Sequence, residues 1–377
     1  METKNEIIER NNAKLLFTPG PLTTSDTVKS AALKDMGSRD EQFIILVKDI
    51  RNTLLQLAHV SQPEYQCVLM QGSGTFGIEA VISSAIPRNG MLLNIINGAY
   101  GRRISQMSHI HNIPTLDLHY HENQLPILGE IEKALVDIPQ ITHMALVHGE
   151  TTTGLINPVE EIGLLAKKHN KTYIVDAMST FGAYKIDVEK LNIGFLISSS
   201  NKCIEGIPGF SFVIAREQDL QSCENQARTL SLDLYSQWLG LEKNGQFRFT
   251  PPVQALMAFH SALYELIEEG GTRARGKRYA QNNEVLVNQM RKAGFRLYLD
   301  DAIRGYIITA FLYPEDPAFS FEDFYQKLND RGFVIYPGKL GRTQCFRLGN
   351  IGQLFPEDMN NLVVAIHEVI AEIGVKL

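Results

Sequence analysis

Cysteine, positive charge and long apolar runs are what this sequence has little of, and each shortage narrows what the chain can be. Its four cysteines, Cys67, Cys203, Cys223 and Cys345, stand far apart in 377 residues, with no CxxC pair. Neither a disulfide framework nor a cysteine-held zinc is written into such spacing, and the thiols read as buried or incidental. Thirty-six Lys and Arg against 42 Asp and Glu leave a formal charge of −6 and a pI near 6.0. A protein built around nucleic acid needs a basic face to neutralise phosphates, so that partner is excluded, while a local basic pocket for one small anion is not. No apolar run approaches the roughly 20 residues that cross a bilayer, and residues 1–14 alternate acids, bases and amides without an apolar stretch. No membrane partner is expected, and the cytoplasm is the expected location. Histidines do gather, as His109, His111, His119 and His121, but without a nearby Cys or carboxylate set. They read as solvated loop histidines, and no metal is expected.

The 377 residues exceed the size at which one hydrophobic core stops growing, and 44% of them are hydrophobic, so two domains are expected. From Cys67 to Phe212 short apolar runs alternate with longer amphipathic ones, the mark of an α/β sheet covered by helices. The pattern predicts strands over 67–70, 91–96, 115–118, 143–147, 172–175, 195–198 and 210–214. It predicts helices over 42–58, 75–85 and 159–169, the last opening at Asn157-Pro158. After Phe249-Thr250-Pro251-Pro252 a long helical stretch runs to Lys292, with a charge-rich linker section over 268–278. A second, α+β unit follows, with strands over 296–299, 306–312, 333–336 and 344–348 and a final helix over 356–373.

Three features carry chemistry. Gln71-Gly72-Ser73-Gly74-Thr75-Phe76-Gly77 lies between a predicted strand and a predicted helix, where helix-terminal N–H groups and the Ser73 and Thr75 hydroxyls can cradle an anion. The same residues match GxGxxG, so a nicotinamide-dependent dehydrogenase is an alternative; that reading wants a carboxylate ending the next strand, where Asn97-Gly98-Ala99-Tyr100 stands instead. Asp176 closes the apolar strand Tyr173-Ile174-Val175, at the edge where open α/β sheets bind ligands, although a helix cap or a magnesium ligand would look alike. Lys202, in Ser198-Ser199-Ser200-Asn201-Lys202-Cys203, stands between an apolar strand and the loop Glu205-Gly206-Ile207-Pro208-Gly209. A surface charge is the ordinary reading of such a lysine, but small neighbours leave room for a bulky ligand and suit an amine of lowered pKa. Together the three supply what pyridoxal phosphate requires: an anion cradle, an amine for its aldehyde, and a carboxylate that keeps the pyridine nitrogen protonated. Tyr100 is placed to cover the ring.

The motifs in which these residues stand resemble those of the class V aminotransferases. They are Leu16-Phe17-Thr18-Pro19-Gly20-Pro21, the glycine loop, Asn97-Gly98-Ala99-Tyr100-Gly101, His148-Gly149-Glu150-Thr151-Thr152-Thr153-Gly154, Asp176-Ala177-Met178-Ser179, Asn201-Lys202-Cys203 and Cys345-Phe346-Arg347-Leu348-Gly349-Asn350-Ile351-Gly352. More specific are Pro208-Gly209-Phe210 after the lysine and Tyr336-Pro337-Gly338-Lys339 before Cys345. These are similar to the branch of the family that moves nitrogen from an aminophosphonate to pyruvate.

The resemblance implies fold type I: a segment 1–22 contributing to the active site, a large cofactor-binding α/β domain over 23–265 with a mainly parallel sheet, and a smaller α+β domain over 266–377. It implies that Lys202 forms the Schiff base with pyridoxal 5'-phosphate and that Asp176 pairs with the pyridine nitrogen. Ser73, Gly74 and Thr75 would hold the phosphate, Tyr100 would stack on the ring, and Asn201 and Thr151 would lie beside it. Arg347 would grip the substrate anion, and Arg39 would add a second positive charge. Thr250 would reach the cofactor of a second subunit, so a homodimer with shared sites is expected. His148 and Glu150 are expected to support Thr151 rather than transfer protons. The implied reaction turns 2-aminoethylphosphonate and pyruvate into phosphonoacetaldehyde and L-alanine. An alanine or serine:glyoxylate aminotransferase shares nearly every one of these positions and is the alternative within the same chemistry. A cysteine desulfurase would need a reactive cysteine on a mobile loop, and Cys345 stands directly before the Arg347 motif.

Overall fold

A computed structural model describes residues 14–338 and 343–377. Residues 1–13 of the expected N-terminal segment, and Lys339 of the Tyr-Pro-Gly-Lys motif, lie outside the described residues.

The α/β expectation holds. Seven strands form one sheet: β1 Tyr65–Gln71, β2 Met91–Ile96, β3 Thr115–His119, β4 Ile141–Val147, β5 Thr172–Asp176, β6 Ile193–Ser199 and β7 Phe210–Arg216, in the order β1-β7-β6-β5-β4-β2-β3. Neighbours pair in parallel except at β7, which runs antiparallel to both β1 and β6. Six carboxyl ends therefore meet at one edge, where an open α/β sheet binds its ligand. The central strands are nearly continuous apolar runs because helices cover both faces. Helices named below are α1 Glu41–Leu57, α2 Gly74–Ala85, α3 Ala99–Ile110, α4 Val159–Lys168, α5 Val253–Glu269, α6 Gly271–Lys292 and α7 Pro356–Glu372.

A second, three-stranded antiparallel sheet pairs β8 Ile308–Leu312 and β9 Tyr336–Pro337 with the central β10 Cys345–Gly349. It has a core of its own, built from Leu286, Phe311, Phe324, Phe346, Leu362 and Ile366 among others. The N-terminal segment belongs to this part: Leu15 and Leu16 pair in parallel with Phe333 and Val334, and Phe17 is buried in the second core.

Four expectations are corrected. The helical stretch to Lys292 is broken at Gly270 and Gly271, whose positive φ values of 109° and 74° end α5 and start α6 in a left-handed turn that side-chain-bearing residues resist. The strand over 296–299 reduces to one bridge, Leu297 opposite Phe311, and the strand over 333–336 divides at Ile335, Phe333 and Val334 pairing with Leu15 and Leu16 while Tyr336 joins β9. The histidines are not all in solvated loops. His109 is in the last turn of α3, His119 ends β3, and the largely buried His111 ring lies 2.9 Å from a Glu79 carboxylate oxygen.

Candidate active site

Four loops and one strand end converge at the carboxyl edge around a cavity of about 170 Å³. β1 delivers the glycine loop, with Gly72 at φ +102° turning the chain so that Ser73 caps α2 and Gly74 and Thr75 form its first turn. A Cβ at Gly74 would come within 2.4 Å of Met178 Sδ, so a side chain there would require the Met178 side chain to move. β2 leads to Gly98 and into α3, whose first turn carries Tyr100. β4 leads to Thr151, β5 ends in Asp176, and β6 leads to Asn201 and Lys202. Ser73, Gly74, Thr75, Tyr100, Thr151, Asp176, Asn201 and Lys202, eight positions singled out in the sequence, all line this one cavity.

Lys202 is held by the N-terminal segment. Its Nζ donates to Pro19 O at 2.8 Å, and Gly20, at φ +118°, lets the backbone pass so close that a Cβ would sit 2.7 Å from Lys202 Cδ. Burial lowers the amine to a pKa of about 8 against the pull of Asp176. Roughly a tenth of it is then neutral at pH 7, against well under one in a thousand at the ordinary lysine value. Asp176, 5% exposed, accepts from Met178 N at 2.9 Å. Burial raises its carboxyl to about 6 despite that bond and the nearby Lys202 charge, which still leaves it mostly ionised at pH 7.

Arg347 stands on β10, buried, and ties the second sheet to the site. Its Nη1 donates to Thr151 O at 2.9 Å and its Nε to Pro337 O at 3.1 Å, with its guanidinium 5.7 Å from the centre of the Tyr336 ring. Its charge adds to the forces that depress Lys202.

Arg347 is joined to the cavity through Thr151 but is not among its lining residues, and Thr250 and Arg39 are not brought to it within the single chain. Thr250 is exposed just before α5, its carbonyl 3.4 Å from the Gln71 side-chain amide, which also donates to Phe249 O at 2.9 Å. Arg39 is exposed at the start of α1. His148 is neutral, its pKa pushed down to about 4 by burial, with Nδ1 2.9 Å from Thr180 Oγ1. Glu150 departs from expectation: rather than bracing Thr151, its carboxylate accepts from Gly101 N at 3.0 Å and Tyr100 N at 3.4 Å, capping the helix that carries Tyr100. Burial raises its pKa to about 7.

Arg103 escaped the sequence reading. It lines the cavity, donates from Nη1 to Thr75 Oγ1 at 3.1 Å, and lies 4.9 Å from the Tyr100 ring centre. The signal was present: Tyr100, Arg103, Ile104 and Met107 all line the cavity, and their spacing is that of one helix face. Cys345, by contrast, is buried within β10 rather than on a loop.

The family model for the class V aminotransferases matches residues 24–339. A protein of Klebsiella pneumoniae subsp. pneumoniae named 2-aminoethylphosphonate--pyruvate transaminase is 50% identical over 354 residues, 93% of this chain and 96% of its own length. A protein of the same name from Bacillus cytotoxicus is 48% identical over 95% of this chain and 98% of its own length. Among solved structures, pyridoxamine-pyruvate aminotransferase from Mesorhizobium loti superposes with a TM-score of 0.88 over 98% of this chain and 95% of that one, at 23% identity, a likeness of fold.

Proposed function

Since this chain belongs to the class V aminotransferases, we propose that it transfers the amino group of 2-aminoethylphosphonate to pyruvate, giving phosphonoacetaldehyde and L-alanine, with pyridoxal 5'-phosphate held on Lys202. Dependence on that cofactor is a general property of the family. The described residues fit it: neutral hydroxyl and N–H donors at one end of the cavity, a buried amine of lowered pKa at another, and a buried, largely ionised carboxylate between β5 and Met178. When bound, the cofactor supplies an aldehyde for the donor's nitrogen and a protonated ring that draws electrons from the carbon being deprotonated.

The chain's own residues do the rest. Asp176 keeps the pyridine nitrogen protonated, Ser73, Gly74 and Thr75 bind the phosphate, Tyr100 covers the ring, and Thr151 and Asn201 border it. Lys202 Nζ, neutral in part at pH 7, takes the proton from the donor's amine-bearing carbon. Arg347 holds the phosphonate of one substrate and the carboxylate of the other in turn, its planar fork suiting both. Arg39, expected as a second positive charge for the phosphonate, stands exposed and outside the cavity of the single chain, so Arg347 carries this role in the proposal. The observation that carries the chemistry is that Lys202 and Asp176 line one cavity, where burial lowers the amine toward neutral pH and the carboxyl, although raised, stays largely ionised. The donor rests on the relatives named above.

We propose further a homodimer in which Thr250 completes the partner's phosphate site. Its exposure, and that of the apolar Phe76 and Phe249 beside it and the glycine loop, supports this. The proposed divisions, 1–22, 23–265 and 266–377, are supported by two separate cores, the first ending at Leu266 and the second beginning, apart from Phe17, at Leu286. The proposed setting is the cytoplasm. Four free thiols support it; among the described residues, no helix is long and apolar enough to cross a membrane.

Donor screens test the function, read as alanine formed where pyruvate is the acceptor and as glycine formed where glyoxylate is. The account expects 2-aminoethylphosphonate with pyruvate to exceed alanine or serine with glyoxylate by at least about a hundredfold in kcat/KM, since polar contacts built for a phosphonate two carbons from the amine are left unmade by a donor whose carboxylate stands on the amine-bearing carbon. Preference for the alanine or serine and glyoxylate pair would replace it with the alternative aminotransferase.

A further inference from the structure

One charged side chain in the cavity has no part in the roles above. Arg103 stands one turn along α3 from Tyr100, exposed on the outer wall, with Nη1 3.1 Å from Thr75 Oγ1 and its guanidinium 4.9 Å from the centre of the Tyr100 ring. It is thus held at two points, one at the phosphate cradle and one at the residue placed to cover the ring.

The cradle as read from the motif is short of charge. Ser73, Gly74 and Thr75 offer hydroxyls and backbone N–H groups, and the start of α2 adds only about half a positive charge. A phosphate monoester near neutral pH carries between one and a half and two negative charges, roughly, by the same chemistry that governs a phosphorylated side chain. Neutral donors can satisfy its oxygens, but they leave most of that charge uncompensated. Arg103 already hydrogen-bonds a cradle hydroxyl, and the fork of a guanidinium has further N–H groups to offer an anion accepted by that hydroxyl. Its approach to the Tyr100 ring gives the guanidinium a second contact that keeps it beside the cradle. Its charge also reaches Asp176, acting against the burial that raises that carboxyl.

We propose that Arg103 is the cation of the phosphate cradle, a binding residue that pairs with the cofactor's phosphate from the outer wall of the cavity. This rests on the reading of the Lys202 cavity as a pyridoxal-phosphate site.

The test compares two aldehydes that differ only in the phosphate. Ligand-free wild type, Arg103→Gln and Arg103→Lys are titrated with pyridoxal phosphate and with pyridoxal, binding being read by near-visible absorbance and quenching of protein fluorescence. Arg103 is exposed, so neither substitution opens a buried hole, and far-ultraviolet circular dichroism verifies the fold. Arg103→Gln should bind pyridoxal phosphate about ten- to a hundredfold more weakly, the range expected for loss of a charge-assisted hydrogen bond, while binding pyridoxal within about twofold of wild type. Arg103→Lys should recover most of the loss. Inorganic phosphate should compete with pyridoxal phosphate in wild type at concentrations that leave Arg103→Gln unaffected. Equal weakening toward both aldehydes would assign Arg103 a purely structural part through Tyr100 and overturn the proposal, as would no weakening. A wild-type protein that takes up neither aldehyde overturns the cavity's reading and this inference together.

Discussion

Lys202 and Asp176 are shifted in opposite directions by one cause, the withdrawal of both from water; each shift disfavours the charged form at neutral pH, and the two penalties are relieved at opposite ends of the pH scale. The Asp176 carboxyl, raised from 3.8 to about 6, binds its proton more tightly in the folded chain than in the unfolded one. Its contribution is therefore favourable at low pH and is lost as pH rises between about 4 and 6, leaving an ionised carboxylate buried at neutrality. Replacing it by Asn should stabilise the ligand-free protein at pH 7.5 by roughly 1–3 kcal/mol, with the gain vanishing below about pH 4, while abolishing transamination. Urea unfolding across that pH range measures this, and a variant less stable than wild type at pH 7.5 would contradict it. The identity of these two residues was legible because each follows an apolar run whose end marks the ligand edge of the sheet. Their shifts were not, since burial of Lys202 depends on Pro19 and Gly20, more than 180 positions earlier in the chain.

Elements were legible where hydrophobic pattern alone decides them. The apolar runs of the large sheet became strands within a few residues of expectation, and the helices that begin at Gly74 and Val159 follow a glycine loop and an Asn-Pro opening. Helix α3 shows what pattern leaves out. Gly98 precedes it without a side chain to cap it, and a Cβ there would come within 2.3 Å of Glu150 Cδ. The cap comes instead from Glu150 on a distant loop, a tertiary contact that no local sequence rule reveals. Glu150→Ala leaves the Tyr100 and Gly101 amides without that acceptor and should cost about 1–3 kcal/mol in urea unfolding, with weaker cofactor binding because Tyr100 and Arg103 ride on the same helix. Glu150→Gln keeps an acceptor for one of the two amides, which use different carboxylate oxygens, and should cost less than Glu150→Ala. Equal losses for both would show that charge, not the acceptor, is what α3 requires. The break between α5 and α6 was legible in principle, because adjacent Gly270 and Gly271 are a turn signal inside an otherwise helical stretch.

At the scale of the whole molecule, the site is assembled from both parts of the chain: the large sheet supplies the cavity, while Arg347 on the second sheet reaches across to Thr151 O. A third contribution, from Thr250 of another subunit, is the proposed one. Mixing Lys202→Ala with Thr250→Glu subunits tests it, because only the mixed dimer pairs an intact Lys202 with an intact Thr250. Random exchange makes half the dimers mixed with one good site of two, so activity should return to about a quarter of wild type; no recovery above the separate variants would place Thr250 outside the partner's site. The account stands or falls, however, on Lys202 as the cofactor's anchor. Borohydride reduction of the protein after incubation with pyridoxal phosphate, followed by peptide mass analysis, addresses that directly. The predicted result is loss of the near-visible band and one phosphopyridoxyl mass on the peptide containing Lys202; a reduced cofactor on a different lysine, or on none, would contradict it.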